Sequence, residues 1–237
     1  MKSLFCLTII LLSLNACVFN WKRVKGNGKM TLENRNINAS PKIKLAGGID
    51  IILTPGTSGI RVEADENIIP YIVTKIEDGW LVVKTKDNAN LSSDNSIKVY
   101  VSTQDIKQLN IMGSGSIIGE EKFNVENNID VEIAGSGSIN LFVHSPSLKA
   151  EIMGSGNIEL KGETRDVNIE IAGSGSFNGM ELKAENAKVE INGSGDANVY
   201  AELNLDASIA GSGDVKYKGN AAVKKHIAGS GSVIQVN

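Results

Sequence analysis

Four glutamates, Glu132, Glu151, Glu170 and Glu190, recur at intervals of 19, 19 and 20 residues. If the chain coils with that period, the carboxylates form a ladder, a surface for a cationic partner or a divalent ion. At about 5 Å, neighbouring like charges repel by roughly 0.8 kcal/mol even in water. Lys149 and Lys188 stand two residues before two of the glutamates and offset part of that cost. The plainer reading of the same column is a solvated, charge-mixed face that keeps sheets from associating. Glu132, Glu151, Glu170 and Glu190 are taken as the candidate binding surface.

Other chemistry-bearing residues are sparse. Asp196 and Asp214 occupy equivalent positions 18 residues apart. Calcium asks for six to eight oxygens, so these small polar residues are expected to hydrogen-bond the backbone of a bend, and no metal site is assigned. His144 and His226 are the only histidines, and no spacing supports a Ser-His-Asp arrangement. Aromatic residues make up 5 % of the chain, too few for a long sugar-stacking platform. Trp80, Tyr71 and Tyr100 are the best scattered candidates, expected to be buried in the first part of the fold. Catalytic residues are therefore none, and the protein is expected not to be an enzyme.

The elements that position these residues follow from a repeated phrase: isoleucine, one residue, then Gly-Ser-Gly. Its first glycines are Gly113, Gly135, Gly154, Gly173, Gly193, Gly211 and Gly229. The intervals of 18–22 residues signal a solenoid, in which each unit buries its apolar face on the next. Ile111, Ile133, Ile152, Ile171, Ile191, Ile209 and Ile227 stand two residues before each glycine. Further apolar residues lie four before and four after it, except Lys225 in the last unit. Apolar residues two apart are the signature of strands buried on one face, and the glycines disfavour helix. The fold class is all-β: a parallel β-solenoid with an irregular, strand-rich N-terminal part. Lys225 marks a frayed or capping last coil. A phosphate-binding loop is excluded, because no copy of the phrase is followed by Lys-Ser or Lys-Thr and a helix; no nucleotide and no cofactor are expected.

Residues 1–16 read as a secretory signal: Lys2, an apolar run from Leu4 to Leu14, then a small residue. Leu14-Asn15-Ala16-Cys17 resembles the lipobox of bacterial lipoproteins, which implies lipidation of Cys17 after cleavage before it. The other cysteine, Cys6, falls within the removed segment, so disulfides and thiolate metal sites are not expected. The formal net charge of −3 gives no reason to bind nucleic acid.

Residues 17–36 are expected to be a polar tether, whose Lys22, Arg23, Lys25 and Lys29 either lie against anionic headgroups or are solvated. Residues 37–108 form an N-terminal β part or cap, and residues 109–237 the solenoid. Within the cap, Asp78-Gly79 predicts a tight hairpin, and Asp87 to Ser96 reads as a polar loop.

The chain resembles the autotransporter adhesin head domain, or GIN domain, family from about residue 37 to its end. The resemblance lies in the run from Leu45 to Gly56 (LAGGIDIILTPG), the run from Val62 to Asn67 (VEADEN), the run from Ile97 to Val101 (IKVYV), and the Gly-Ser-Gly-Ser and Gly-Ser-Gly-Asp phrases. It implies a right-handed β-helix of pectin-lyase-like shape on a bacterial cell-envelope protein, with adhesion as its role and no catalytic residue to carry over. The expected protein is a lipid-anchored module of the envelope, at the outer membrane, that binds a glycan or an envelope protein. The alternatives are a polysaccharide-binding or polysaccharide-degrading protein and a periplasmic scaffold.

Overall fold

The computed structural model describes residues 22–237; the signal segment 1–16 and Cys17 lie outside the described residues. The first part contains β1 (Lys22–Lys25), β2 (Met30–Arg35), β3 (Lys42–Ala46), β4 (Asp50–Pro55), β5 (Gly59–Asp65), β6 (Ile72–Glu77), β7 (Trp80–Thr85), β8 (Ala89–Ser92) and β9 (Lys98–Thr103). The repeats supply β10 (Gln108–Gly113), β11 (Ser116–Asn124), β12 (Ile129–Gly135), β13 (Ser138–Gly154), β14 (Asn157–Gly173), β15 (Ser176–Gly193), β16 (Asp196–Gly211), β17 (Asp214–Lys218), β18 (Ala222–Gly229) and β19 (Ser232–Gln235). A single 3-10 turn at Ile69–Tyr71 is the only helical element among the described residues.

The repeats stack as a parallel β-solenoid of about 7 turns. Each long strand runs from one glycine phrase to the next and pairs in register with its counterpart one coil away. Ile133 lies beside Ile111, Ile152 beside Ile133, Ile171 beside Ile152, and Ile191 beside Ile171. The isoleucines from Ile111 to Ile209 are fully buried in one continuous core. A second inner column runs through Ile117, Ile139, Ile158, Phe177, Ala197 and Val215.

The two glycines of each phrase answer two different demands. The first turns the chain with φ between +123° and +144° across the last five copies, a region that strains any L side chain. The second sits under the preceding coil: a Cβ on Gly175 would come within 2.5 Å of Gly156 O and of the Ile152 side chain. The bend is closed by backbone bonds from coil to coil, such as Ser155 N–H to Gly135 O at 2.9 Å.

The solenoid begins earlier than residue 109. β3 and β4 already form a coil, with Leu45 beside Ile111 and Ile51 beside Ile117. Gly47, at φ +107°, takes the place of the phrase's first glycine. A further coil, made of β7 and β9, stacks on the opposite side of β3 and β4. The chain therefore starts one coil inside the stack, builds outward to the end, and returns through Ile106 to continue from β10. Antiparallel strands close that end: β6 on β7, with the expected hairpin at Asp78-Gly79 (φ +50° and +79°), and β5 and β2 beyond β9.

Two segments differ from expectation. The described part of the expected tether, residues 22–36, carries β1 and β2, and the expected loop Asp87–Ser96 carries β8. β1 and β8 pair with each other in parallel, each supplying the hydrogen-bonding partner the other lacks. Below them Asp65, buried, accepts hydrogen bonds from Ser93 Oγ and from Asn95 Nδ2 at 3.0 Å. These bonds hold its carboxyl below the usual carboxylate range, the Ser93 bond foremost.

Each end of the stack carries a charge where the core columns run out. At the first end, Arg35 Nη2 donates to Ile69 O and Ile72 O, both at 3.3 Å. At the other, Lys225 pairs beside the buried Ala207 and is exposed, as the apolar column predicts for a terminal coil. A charge at these positions discourages another strand from adding on.

Candidate functional site

On one lateral face the sequence-derived column is a ladder in register. Glu132 pairs beside Glu151, Glu151 beside Glu170, and Glu170 beside Glu190, with Asn110 before the first and Ser208 after the last. All four are half-buried, and each carboxylate already has protein partners. Asn110 Nδ2 donates to Glu132 at 2.7 Å, and Asn168 Nδ2 to Glu170 at 3.0 Å. Lys149 pairs with Glu151 and, at 3.4 Å, with Glu170; Lys188 pairs with Glu190 at 2.6 Å. The carboxylates raise the pKa of both lysines, Glu151 foremost for Lys149 and Glu190 for Lys188. The ladder is thus largely internally compensated.

The aspartates of the bend act on the backbone. Asp196 Oδ1 accepts from Asp214 N–H at 2.9 Å, and Asp214 Oδ1 accepts from Ser232 N–H at 2.8 Å. Each carboxylate ties the next coil to its own. Of the aromatic candidates, Trp80, Tyr71 and Tyr100 are half-buried rather than buried, each with a cationic side chain over its ring.

A second feature was not found from the sequence. Each long strand breaks its inward alternation at one shared place: in β13 Val143 and Ser145 face in, then Leu148, so that Pro146 and Ser147 make a corner. The equivalent break in the next coil lies between Thr164 and Val167. The corners stack into a groove of about 940 Å³ along the solenoid axis. Its floor is small, with Val125, Ser145, Thr164 and Ala184 all buried. One wall is the column Asn124, His144, Glu163, Lys183 and Tyr200, aligned coil by coil. The other wall carries Glu126, Pro146, Arg165, Glu185 and Glu202. Five coils at about 4.8 Å give a length of roughly 19 Å.

The groove presents polar groups of both signs at a regular pitch. His144 Nδ1 lies 3.4 Å from Glu163. Tyr200 donates its hydroxyl to Glu202 at 2.7 Å, and Asn220 adds a second bond at 3.1 Å. Those two donors, Tyr200 first, lower the pKa of Glu202, and the same bond raises that of Tyr200. Arg165 pairs with Asp166 at 2.7 Å. Lys183, Glu126 and Glu185 have no hydrogen-bond or ion-pair partner among the described residues. Rings, free charges and amides along a narrow straight floor suit an extended, polyhydroxylated chain, which needs many weak bonds in fixed order. Only the corner break, where two or three residues separate successive inward positions, could have marked this groove in the sequence.

A family model described as "Putative auto-transporter adhesin, head GIN domain" matches residues 41–221. Several solved structures share the fold, among them the following three. One, named a putative adhesin from Bacteroides fragilis, aligns with a TM-score of 0.84 at 20 % identity, covering 90 % of this chain and 100 % of that one. A second, named a putative lipid binding protein from Parabacteroides distasonis, has a TM-score of 0.73 at 30 % identity, covering 91 % and 100 %. A third, a putative adhesin from the same species, has a TM-score of 0.69 at 25 % identity, covering 91 % and 100 %. No curated protein matches the chain.

Proposed function

Because the chain belongs to the family of "putative auto-transporter adhesin, head GIN domain" proteins, we propose that it is a non-enzymatic binding module that holds an extended glycan in its corner groove. The observation that carries this reading is the groove itself, open along the axis, with one polar side chain per coil on its wall, the His144 and Tyr200 rings among them, and Glu126, Lys183 and Glu185 unpaired among the described residues. The stacked strands fix those side chains before any partner arrives, so binding requires little ordering of the protein. The acidic ladder is the second candidate surface. Its carboxylates are engaged by lysines and asparagines, which favours the groove for recognition.

We also propose that the protein is lipid-anchored in the bacterial envelope, at the outer membrane, through Cys17. The support is the Leu-Asn-Ala-Cys sequence after an apolar run and the adhesin naming of its relatives. Metabolic labelling with a fatty-acid analogue tests this: label should be incorporated by the wild type and lost on Cys17→Ala. A glycan array run beside a polysaccharide-cleavage screen tests the binding role. Saturable binding without product is the expected result, and product formation would overturn the non-enzymatic reading.

A further inference from the structure

Charge is unevenly distributed along the stack. From Lys22 to Lys107 there are 13 basic and 10 acidic residues, a net of +3; from Gln108 to Asn237 there are 10 and 17, a net of −7. Much of the basic excess lies on one face of the end built by β3, β7 and β6. Lys44 and Lys75 flank Val82 there, and Lys84 lies beside Val73, with the inner residues Leu45, Leu81 and Val83 facing the opposite way.

Two rings organise that face. Lys42 and Lys44 approach Trp80, with Nζ 5.7 and 5.0 Å from the ring centre. Lys22 and Lys86 approach Tyr71 at 5.2 and 5.8 Å, and Lys22 Nζ also donates to the Tyr71 hydroxyl at 2.7 Å. None of these four lysines has a carboxylate partner among the described residues. Their neighbours Lys75 and Lys84 do, in Glu77 and Asp87, each at 2.9 Å. Four unneutralised ammonium groups beside two half-buried rings make a surface both cationic and amphipathic, the combination that settles at a lipid headgroup layer.

We propose that this end of the solenoid is a docking face for an anionic lipid surface, with Lys22, Lys42, Lys44 and Lys86 meeting the phosphates and Trp80 and Tyr71 at the headgroup level. Chain connectivity favours a bilayer over a soluble polyanion. Lys22 is bound to this face, and only five peptide steps, through four intervening residues, separate it from Cys17. Fully extended, they span at most about 17 Å. An acyl chain on Cys17 would hold the lysines close to the headgroups, while the net-negative coils are repelled and project outward. The inference goes beyond glycan binding, which uses another face; the choice of a bilayer as occupant rests on the proposed anchor at Cys17, whereas the binding tested below requires no acylation.

The test uses the full chain carrying Cys17→Ala, with vesicles of phosphatidylcholine alone or mixed with phosphatidylglycerol. Binding through the leader, Lys2 included, is common to the parent and variant chains, so the readout is the change in the ratio between the two vesicles when the face lysines are replaced. Partitioning at least tenfold stronger onto the phosphatidylglycerol vesicles is expected, weakening with salt. It should vanish in Lys22→Gln/Lys42→Gln/Lys44→Gln/Lys86→Gln and persist in Lys122→Gln/Lys216→Gln/Lys218→Gln/Lys225→Gln, which loses the same charge elsewhere. A blue shift of Trp80 emission on the anionic vesicles, in a Trp21→Phe background, reports the face directly even if the first variant folds poorly. Equal loss in both lysine variants, no preference for the anionic vesicles, an unshifted Trp80, or tighter binding to soluble polyglutamate than to vesicles would each overturn the proposal. Failure here leaves the glycan reading intact, because the groove residues are unchanged.

Discussion

Lys149 of one coil lies 3.4 Å from Glu170 of the next while also pairing with Glu151 of its own coil. One cation thus sits between two stacked carboxylates that would otherwise repel. The side chains remain substantially exposed, so the pairs contribute on the order of 0.2–1 kcal/mol. Lys149→Gln should lower the urea midpoint modestly at low salt and hardly at all at high salt, where screening weakens both attraction and repulsion. Because pairing raises the lysine's pKa, its contribution is complete below the unfolded value near 10.4 and fades as pH rises through the folded one. A salt-independent loss in Lys149→Gln would argue for packing rather than charge.

The glycine phrase makes a sharper prediction. Gly175→Ala places a methyl group within 2.5 Å of both Gly156 O and Ile152, so the coils must part locally. Ile171→Ala leaves a cavity in the central column and should cost about 2–5 kcal/mol. Ser174→Ala, in the same phrase, should change little. Chemical denaturation of the three variants separates a bend that must be glycine from a bend that merely tolerates it.

The repeat was legible because its demands are local: every isoleucine before a glycine phrase faces the core, and every bend needs the same two glycines. The coil of β3 and β4 satisfies the same template. Ile43 and Leu45 precede Gly47 by four and two residues, and Ile51 follows it by four. It is hidden in the sequence because Gly47-Gly48-Ile49 stands where the repeats carry Gly-Ser-Gly, keeping the first glycine of the bend and not the second. The partnership of β1 with β8 was hidden for another reason. Lys22–Lys25 and Ala89–Ser92 are each too polar to read as strands, and their pairing joins segments more than sixty residues apart. The acidic ladder is legible as a column, whereas whether its charges are free depends on side-chain partners that spacing does not show. The groove arises where inward alternation slips at a corner, and a linear pattern shows the slip without its concavity.

Asp65 should set the acid sensitivity of the capped end. Its folded pKa is depressed by Ser93 and Asn95, so its contribution is present above the unfolded value near 3.9 and is lost as pH falls through the lower folded value. Asp65→Asn should lower the melting temperature by several degrees at neutral pH and flatten the decline below pH 4. Amide exchange should rise first in β1 and β8, which this carboxylate supports. An unaltered acid limb in Asp65→Asn would place the sensitivity elsewhere.

The groove is tested most directly by retention of protein-coated beads on an immobilised glycan panel. Wild type should be retained on at least one polysaccharide. His144→Ala/Lys183→Ala/Tyr200→Ala should abolish retention, while Glu132→Gln/Glu151→Gln/Glu170→Gln/Glu190→Gln should leave it intact. Undiminished retention by the groove variant, or its loss in the ladder variant alone, would contradict the account.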